Sequence, residues 1–148
     1  MKRNMRTWRD SVLQSRKRLA IPVMTHPGIA LRGNTVLETV TNPRLHFEAV
    51  QAVAQTYPTG ASTMIMDLSV EAQAFGAEVR FSDDEVPSVV GRCVDDAASI
   101  DRLAIPGLDE ARVGQWLEAS RLAAQTISDR PVLAGCIGPF SLAARLYD

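Results

Sequence analysis

Few residues in this chain carry chemistry, and the most telling is Asp67. It closes the run Met64-Ile65-Met66 and precedes Leu68-Ser69 and the segment Val70-Glu71-Ala72-Gln73-Ala74-Phe75, which Gly76 stops. A charge directly after an apolar strand packs poorly. It is nonetheless the usual place for a site residue on the rim of a parallel sheet, where strand ends and the loops after them build the pocket. The competing role is local, because an aspartate just ahead of a helix accepts from the first free N–H groups of that helix. One residue can fill both roles.

His26 follows the short apolar run Ile21-Pro22-Val23-Met24-Thr25 and is the second candidate. At a strand end it could donate to a substrate carbonyl or shuttle a proton. A histidine satisfied by the backbone of its own turn is the plainer reading. Cys136 lies near the end of Pro131-Val132-Leu133-Ala134-Gly135-Cys136-Ile137. A metal needs three or four ligands, and His26 and Cys136 supply two, so Cys136 is expected to be a buried apolar cysteine. His46 is expected in an exposed helical turn with a structural role. Asp83-Asp84-Glu85 lacks ligand spacing and reads as a solvated turn. The sequence holds no glycine-rich phosphate loop, nucleophilic triad or dinucleotide fingerprint.

The elements that must position these residues follow from periodicity and breakers. Residues 4–19 read as a helix with Met5, Trp8, Val12 and Leu19 near one face, ended by Pro22. Ile21–Thr25 reads as a first strand, and His26-Pro27-Gly28 as a turn. After a loop or short helix, Asn42-Pro43 opens a helix carrying Leu45, Ala49, Val53 and Tyr57. Ser62–Asp67 is the second strand. Glu78–Phe81 and Val86–Val90 flank a turn as a hairpin excursion, and Asp95–Asp101 a short helix. The longest helix is expected from Asp109 to Ser128, with Val113, Trp116, Leu117, Ser120, Ala124 and Ile127 inward. Pro131–Ile137 is the third strand, and Gly138-Pro139-Phe140-Ser141 opens a last helix, cut off at Asp148.

Three apolar strands alternating with helices specify an α/β class with parallel strands covered on both faces. The 148 residues suit one domain, and 46% hydrophobic with 22% charged residues is a globular composition rather than a disordered one. Residues 1–32 hold eight basic side chains against one acidic, net +7, whereas 67–110 hold eleven acidic against three basic, net −8. Without aromatic interleaving or a binding motif, the basic end is a solvated helix face and no nucleic-acid partner is expected. No apolar run approaches the ~20 residues of a membrane span, and the N-terminus lacks the order of a secretory signal. Two cysteines make no disulfide scaffold, so a cytoplasmic setting is expected.

Taken in order, three blocks resemble the N-terminal part of the uroporphyrinogen decarboxylase superfamily. They are the first helix leading to Ile21-Pro22-Val23, the block from Met66-Asp67-Leu68-Ser69 through Ala74-Phe75-Gly76-Ala77-Glu78-Val79, and Pro131-Val132 through Gly138-Pro139-Phe140-Ser141-Leu142-Ala143. The superfamily includes porphyrinogen decarboxylases and cobamide-dependent methyltransferases. The resemblance implies that residues 1–148 are one domain, part of a (β/α)8 barrel with about three of its strands. It implies that Asp67 matches the aspartate that in the decarboxylases sits over the pyrrole nitrogens and stabilises charge. Phe140 could then lie against a flat tetrapyrrole or corrin, with core packing as its alternative.

Departures from the decarboxylase pattern sharpen the expectation. Those enzymes carry an arginine cluster after the first strand to hold substrate carboxylates, and here His26-Pro27-Gly28-Ile29-Ala30-Leu31-Arg32 offers Arg32 alone. The resemblance therefore points first to the front of a corrinoid-dependent methyltransferase, with a corrinoid protein or tetrapyrrole-like ligand as partner. A porphyrinogen carboxy-lyase is the alternative. The methyltransferases activate a thiol on zinc through a His-x-Cys pair and a later cysteine in their C-terminal half, and no His-x-Cys occurs here. Zinc and a corrinoid are thus expectations for a longer parent, not for this chain alone. A third expectation is an incomplete fragment that acts only by associating with itself or with a missing half.

Overall fold

The structure, a computed structural model, describes residues 4–23 and 26–147. The described residues form a mixed α/β arrangement whose elements serve mainly to bring the ends of two short parallel strands together. In chain order these are α1 (Met5–Gln14), α2 (His26–Arg32), α3 (Val36–Thr41), α4 (Pro43–Thr56), β1 (Ser62–Thr63), α5 (Val70–Ala74), β2 (Glu78–Arg80), β3 (Ser88–Val90), α6 (Ala97–Asp101), α7 (Val113–Thr126), β4 (Val132–Leu133) and α8 (Pro139–Tyr147).

β1 and β4 pair in parallel, with Ser62 opposite Val132 and Thr63 opposite Leu133. Bonds from Ser62 N to Pro131 O (2.9 Å) and from Met64 N to Leu133 O (3.2 Å) bracket the ladder. It ends at Thr63; on the side of the strand away from β4, the Ile65 N–H goes to a histidine ring and not to a neighbouring strand. The expected six- and seven-residue strands are therefore two residues each. The first expected strand is not one: Ile21–Val23 carry no strand pairing, while Met24 and Thr25 lie outside the described residues. Pro22 has no N–H to give to a ladder. The segment lies beside β1 through Thr63 Oγ1 donating to Pro22 O (3.2 Å) and Gly60 N donating to Ala20 O (2.9 Å).

The hairpin is as expected, with β2 and β3 antiparallel and Val79 opposite Val89. Its acidic turn is exposed, and Asp83 O accepts from Val36 N (2.8 Å) at the start of α3. α3, expected only as a loop or short helix, is opened by Thr35-x-x-Glu38, a reciprocal capping box in which each side chain takes the other residue's N–H.

His26-Pro27-Gly28 opens α2 instead of forming a turn. Gly28 is required where α2 crosses α4, since a Cβ there would sit 2.4 Å from Ala49 O. The buried face of α4 is His46, Phe47, Ala49, Val50 and Ala54, one position off the expected stripe, and Tyr57 is exposed. Phe47, Val50 and Ala54 meet Met64, Ala119, Ala123 and Ile127 as one core cluster. On α7 the buried positions are thus small alanines, which let the two helices approach closely, while Leu117 and Ala124 turn outward.

α7 starts four residues later than expected. Ala111 takes the left-handed conformation (φ 46°), which breaks the helical run just before Arg112. α8 is a nine-residue helix whose Leu146 is buried with Ala72, Ala77 and Val94, and Leu146 O accepts from both Cys93 N and Val94 N. At the other end, α1 stops at Gln14 and buries no side chain.

Candidate functional site

The site grows from the end of β1. Met64 and Ile65 are buried, Met66 turns outward, and Asp67 turns back in, leaving 2% of its side chain exposed. A carboxylate that deep must have its acceptors filled. Asp67 Oδ1 accepts from Ser69 N (2.9 Å) and Ser69 Oγ (2.6 Å). Asp67 Oδ2 accepts from Nη1 of Arg112, which reaches across 45 residues of sequence and is itself buried. The helix-capping role expected of Asp67 takes this form: it fastens the turn into α5 through Ser69, the N-cap residue, whose own side chain caps nothing.

Arg112 is the hub. Its Nη2 donates to Ser69 Oγ (2.7 Å), its Nε donates to Gln73 Oε1 (2.7 Å), and its guanidinium lies 4.9 Å from the centre of the Phe81 ring. One planar group thus ties the β1–α5 turn, α5, the end of the hairpin and the start of α7. The left-handed Ala111 directs this residue inward. A cation at a helix N-terminus opposes the helix dipole, and that is the signal in the sequence that could have flagged Arg112. Ser69 and Gln73 carry no comparable signal.

His46, expected to be exposed, is buried on α4. Its Nε2 accepts from Ile65 N (3.1 Å), and its ring meets Trp116 edge-on at 6.5 Å between centres. Burial pushes its pKa down from 6.5 to about 4, against a smaller upward pull from the Asp67 charge. The ring is therefore neutral at physiological pH, and its nitrogen completes the backbone where the β ladder stops. Beside it, Gln115 Oε1 is buried without a partner among the described atoms.

Beyond Asp67, at the C-terminal ends of β1 and β4, opens a cavity of about 370 Å³. Its walls include Met66, Leu68, Trp116, Leu117 and Ile137, with Asp67 and Glu71 as the charged contributors. Among the described residues no lysine or arginine lines it. Glu71 is partly committed, since its Oε1 accepts from Ile137 N (3.0 Å) and so ties the segment after β4 to α5. Cys136 lines the same cavity and is exposed, not buried, because the chain leaves the sheet after Leu133. His26 stands exposed at the start of α2, and Phe140 is 88% exposed on α8; neither lines the cavity. Among the described residues no group of three His, Cys, Asp or Glu side chains could hold a metal ion. A zinc centre does not fit the described residues.

The cleft can therefore offer an apolar wall and hydrogen-bond acceptors. Comparison with known proteins bears on what such a cleft serves. Methylcobamide:CoM methyltransferase MtbA of Methanosarcina acetivorans is 33% identical over 82 residues, covering 54% of this chain and 24% of that protein. Its counterpart in Methanosarcina mazei is 32% identical over the same length and shares. A uroporphyrinogen decarboxylase of Xylella fastidiosa is 27% identical over 113 residues, covering 76% of this chain and 31% of that one. Among solved structures, a methyltransferase from Methanosarcina mazei superposes with a TM-score of 0.73 at 25% identity, over 82% of this chain and 36% of its own. The chain thus spans about a quarter to a third of the length of the curated relatives it matches. The sequence pattern of the family described as uroporphyrinogen decarboxylase (URO-D) matches residues 18–148. The chain belongs to the uroporphyrinogen decarboxylase family.

Proposed function

We propose that the chain is the front part of a (β/α)8 barrel that transfers a methyl group from a corrinoid to a thiol. The observation that carries this reading is the charge of the cleft. Among the described residues its lining offers acceptors and apolar surface but no cation, and the guanidinium of Arg112 beside it is spent on Asp67. A uroporphyrinogen bears eight carboxylates and needs cationic partners, ideally arginine forks. A corrinoid bears mainly neutral amides around a flat ring, which suits apolar walls and acceptors. The similarity to the methylcobamide:CoM methyltransferases supports the same choice.

In this reading a bound corrinoid supplies the methyl group, and the residues of this chain position it. Met66, Leu68 and Leu117 form an apolar wall that excludes water from one face of the ring. Asp67 accepts one hydrogen bond from the ligand. Glu71 holds the segment after β4 in place. No step is assigned to zinc. Met66, Leu68 and Leu117 are well exposed in this chain, and association with further barrel or with a second copy would cover them. His26 and Phe140, also exposed, take part only if such an assembly brings ligand or protein against them.

The test is turnover by the complete gene product. Methylcobalamin with a thiol such as coenzyme M is expected to lose its cobalt–methyl absorbance, while uroporphyrinogen is returned unchanged. Decarboxylated porphyrinogen without methyl transfer would instead favour the lyase reading, which the longer alignment to the Xylella fastidiosa protein supports.

A further inference from the structure

Arg112 is buried, makes three directed bonds and stacks on an aromatic ring, yet it neither lines the cavity nor belongs to any of the sequence blocks that carry the family resemblance. A buried guanidinium with that many partners is costly to assemble, so its effect on its neighbours is the question. The bond directions in the cluster are fully determined. Arg112 donates to Ser69 Oγ, which forces the Ser69 hydroxyl proton toward Asp67 Oδ1, where Ser69 N also donates. Arg112 itself donates to Oδ2.

An ionised carboxylate has about four acceptor positions, two on each oxygen. Here Oδ1 has both filled and Oδ2 has one filled. Among the described atoms, a single position on Oδ2 remains open. The Arg112 charge also offsets that of Asp67.

We infer that Arg112 is a positioning residue: it holds the Asp67 carboxylate in one orientation and limits it to accepting one donor from a ligand in the cleft. This inference rests on the corrinoid reading for its choice of substrate and deepens it. A porphyrinogen presents four converging N–H groups and needs a carboxylate free to accept several and to offset developing positive charge. A carboxylate neutralised by Arg112, with one open position, does not serve that. It serves a ligand presenting one amide or hydroxyl donor. The specificity of the cleft is thus set by a residue that touches no ligand.

The experiment compares Arg112→Gln and Arg112→Lys with the unsubstituted complete gene product, reading methyl transfer from methylcobalamin. Loss of orientation at a reacting centre typically costs one to two orders of magnitude. Arg112→Gln should lower kcat by about 10- to 100-fold and leave KM for methylcobalamin within about threefold. Arg112→Lys keeps the charge but cannot make the three bonds at once, so it should not restore kcat. Full activity of Arg112→Lys, or an Arg112→Gln variant with unchanged kcat, overturns the inference.

A second arm needs no activity. Three-bond NMR couplings that report the Asp67 χ1 angle, measured on the 148-residue chain, should show one rotamer in the unsubstituted protein and averaging in Arg112→Lys. A single rotamer in both overturns the positioning role. If the unsubstituted protein transfers no methyl group while the coupling result holds, the corrinoid reading falls and the positioning role stands.

Discussion

At the residue scale, Asp67 is both what the sequence offered and something else. An aspartate at a strand end reads as a free site residue, and for such a residue Asp67→Asn would lower turnover more than stability. Its burial against Arg112 alters that expectation. Removing one partner of a buried ion pair leaves the other charge uncompensated, at a cost of about 3–5 kcal/mol. Asp67→Asn should therefore lose on the order of 3 kcal/mol in urea unfolding as well as activity. A loss below about 0.5 kcal/mol, the range of ordinary surface substitutions, would contradict the buried pair.

His46 gives a pH prediction. Its folded pKa of about 4 lies below the 6.5 of an exposed histidine, so the unfolded chain binds the proton more readily. Stability from this group is fully present above about pH 6.5 and is lost as pH falls toward 4. The size is up to roughly 3 kcal/mol, from about 1.4 kcal/mol per unit. His46→Gln removes the titration and should flatten that part of the stability–pH curve measured by chemical unfolding. A curve of unchanged slope would show that His46 is not buried neutral.

At the element scale, what the sequence disclosed and what it hid have distinct physical causes. Asn42-Pro43, the hairpin 78–90 and the short helix α6 were legible because caps and turns are local signals. The first strand failed because Pro22 cannot donate, and on the outer side of β1, where that strand would have paired, the Ile65 N–H is taken by the His46 ring instead. Neither is a local property. The stripes on α4 and α7 came out shifted because the contact is made by small side chains, Ala49, Ala54, Ala119 and Ala123, which apolar periodicity undervalues beside Leu45 or Leu117. Asp67 stood out as an oddly placed charge at a strand end, but Arg112 was hidden in what looked like the first turn of a long helix. Gly28 reads as a turn glycine and is a packing glycine. Gly28→Ala drives a methyl into Ala49 O and should destabilise by about 1–3 kcal/mol, as overpacking does. A thermal midpoint unchanged from the parent would mean that α2 and α4 do not cross there.

At the scale of the whole molecule, the chain brings the ends of two parallel strands to one apolar cleft and braces that cleft from four elements through a single guanidinium. No helix among the described residues is long and apolar enough to cross a membrane. The uneven charge of the sequence has a counterpart here. Of the basic stretch, Arg6 and Arg9 lie on the exposed α1 and Arg16, Lys17 and Arg18 follow it exposed, while the acidic stretch runs from Asp67 through the hairpin to the start of α7. The cleft's lining holds Asp67 and Glu71 and, among the described residues, no lysine or arginine, a charge that disfavours polyanions relative to neutral ligands.

That preference is the central claim, and a binding competition tests it most directly. In a variant that keeps Trp116, on the wall of the cavity, and has every other tryptophan changed to Phe, the Trp116 fluorescence reports ligand. Titration of the complete gene product with cobinamide, an uncharged-amide corrinoid, and with uroporphyrin, a polycarboxylate ring, should give quenching that saturates at lower concentration for cobinamide by at least about tenfold. Tighter binding of uroporphyrin would contradict the account.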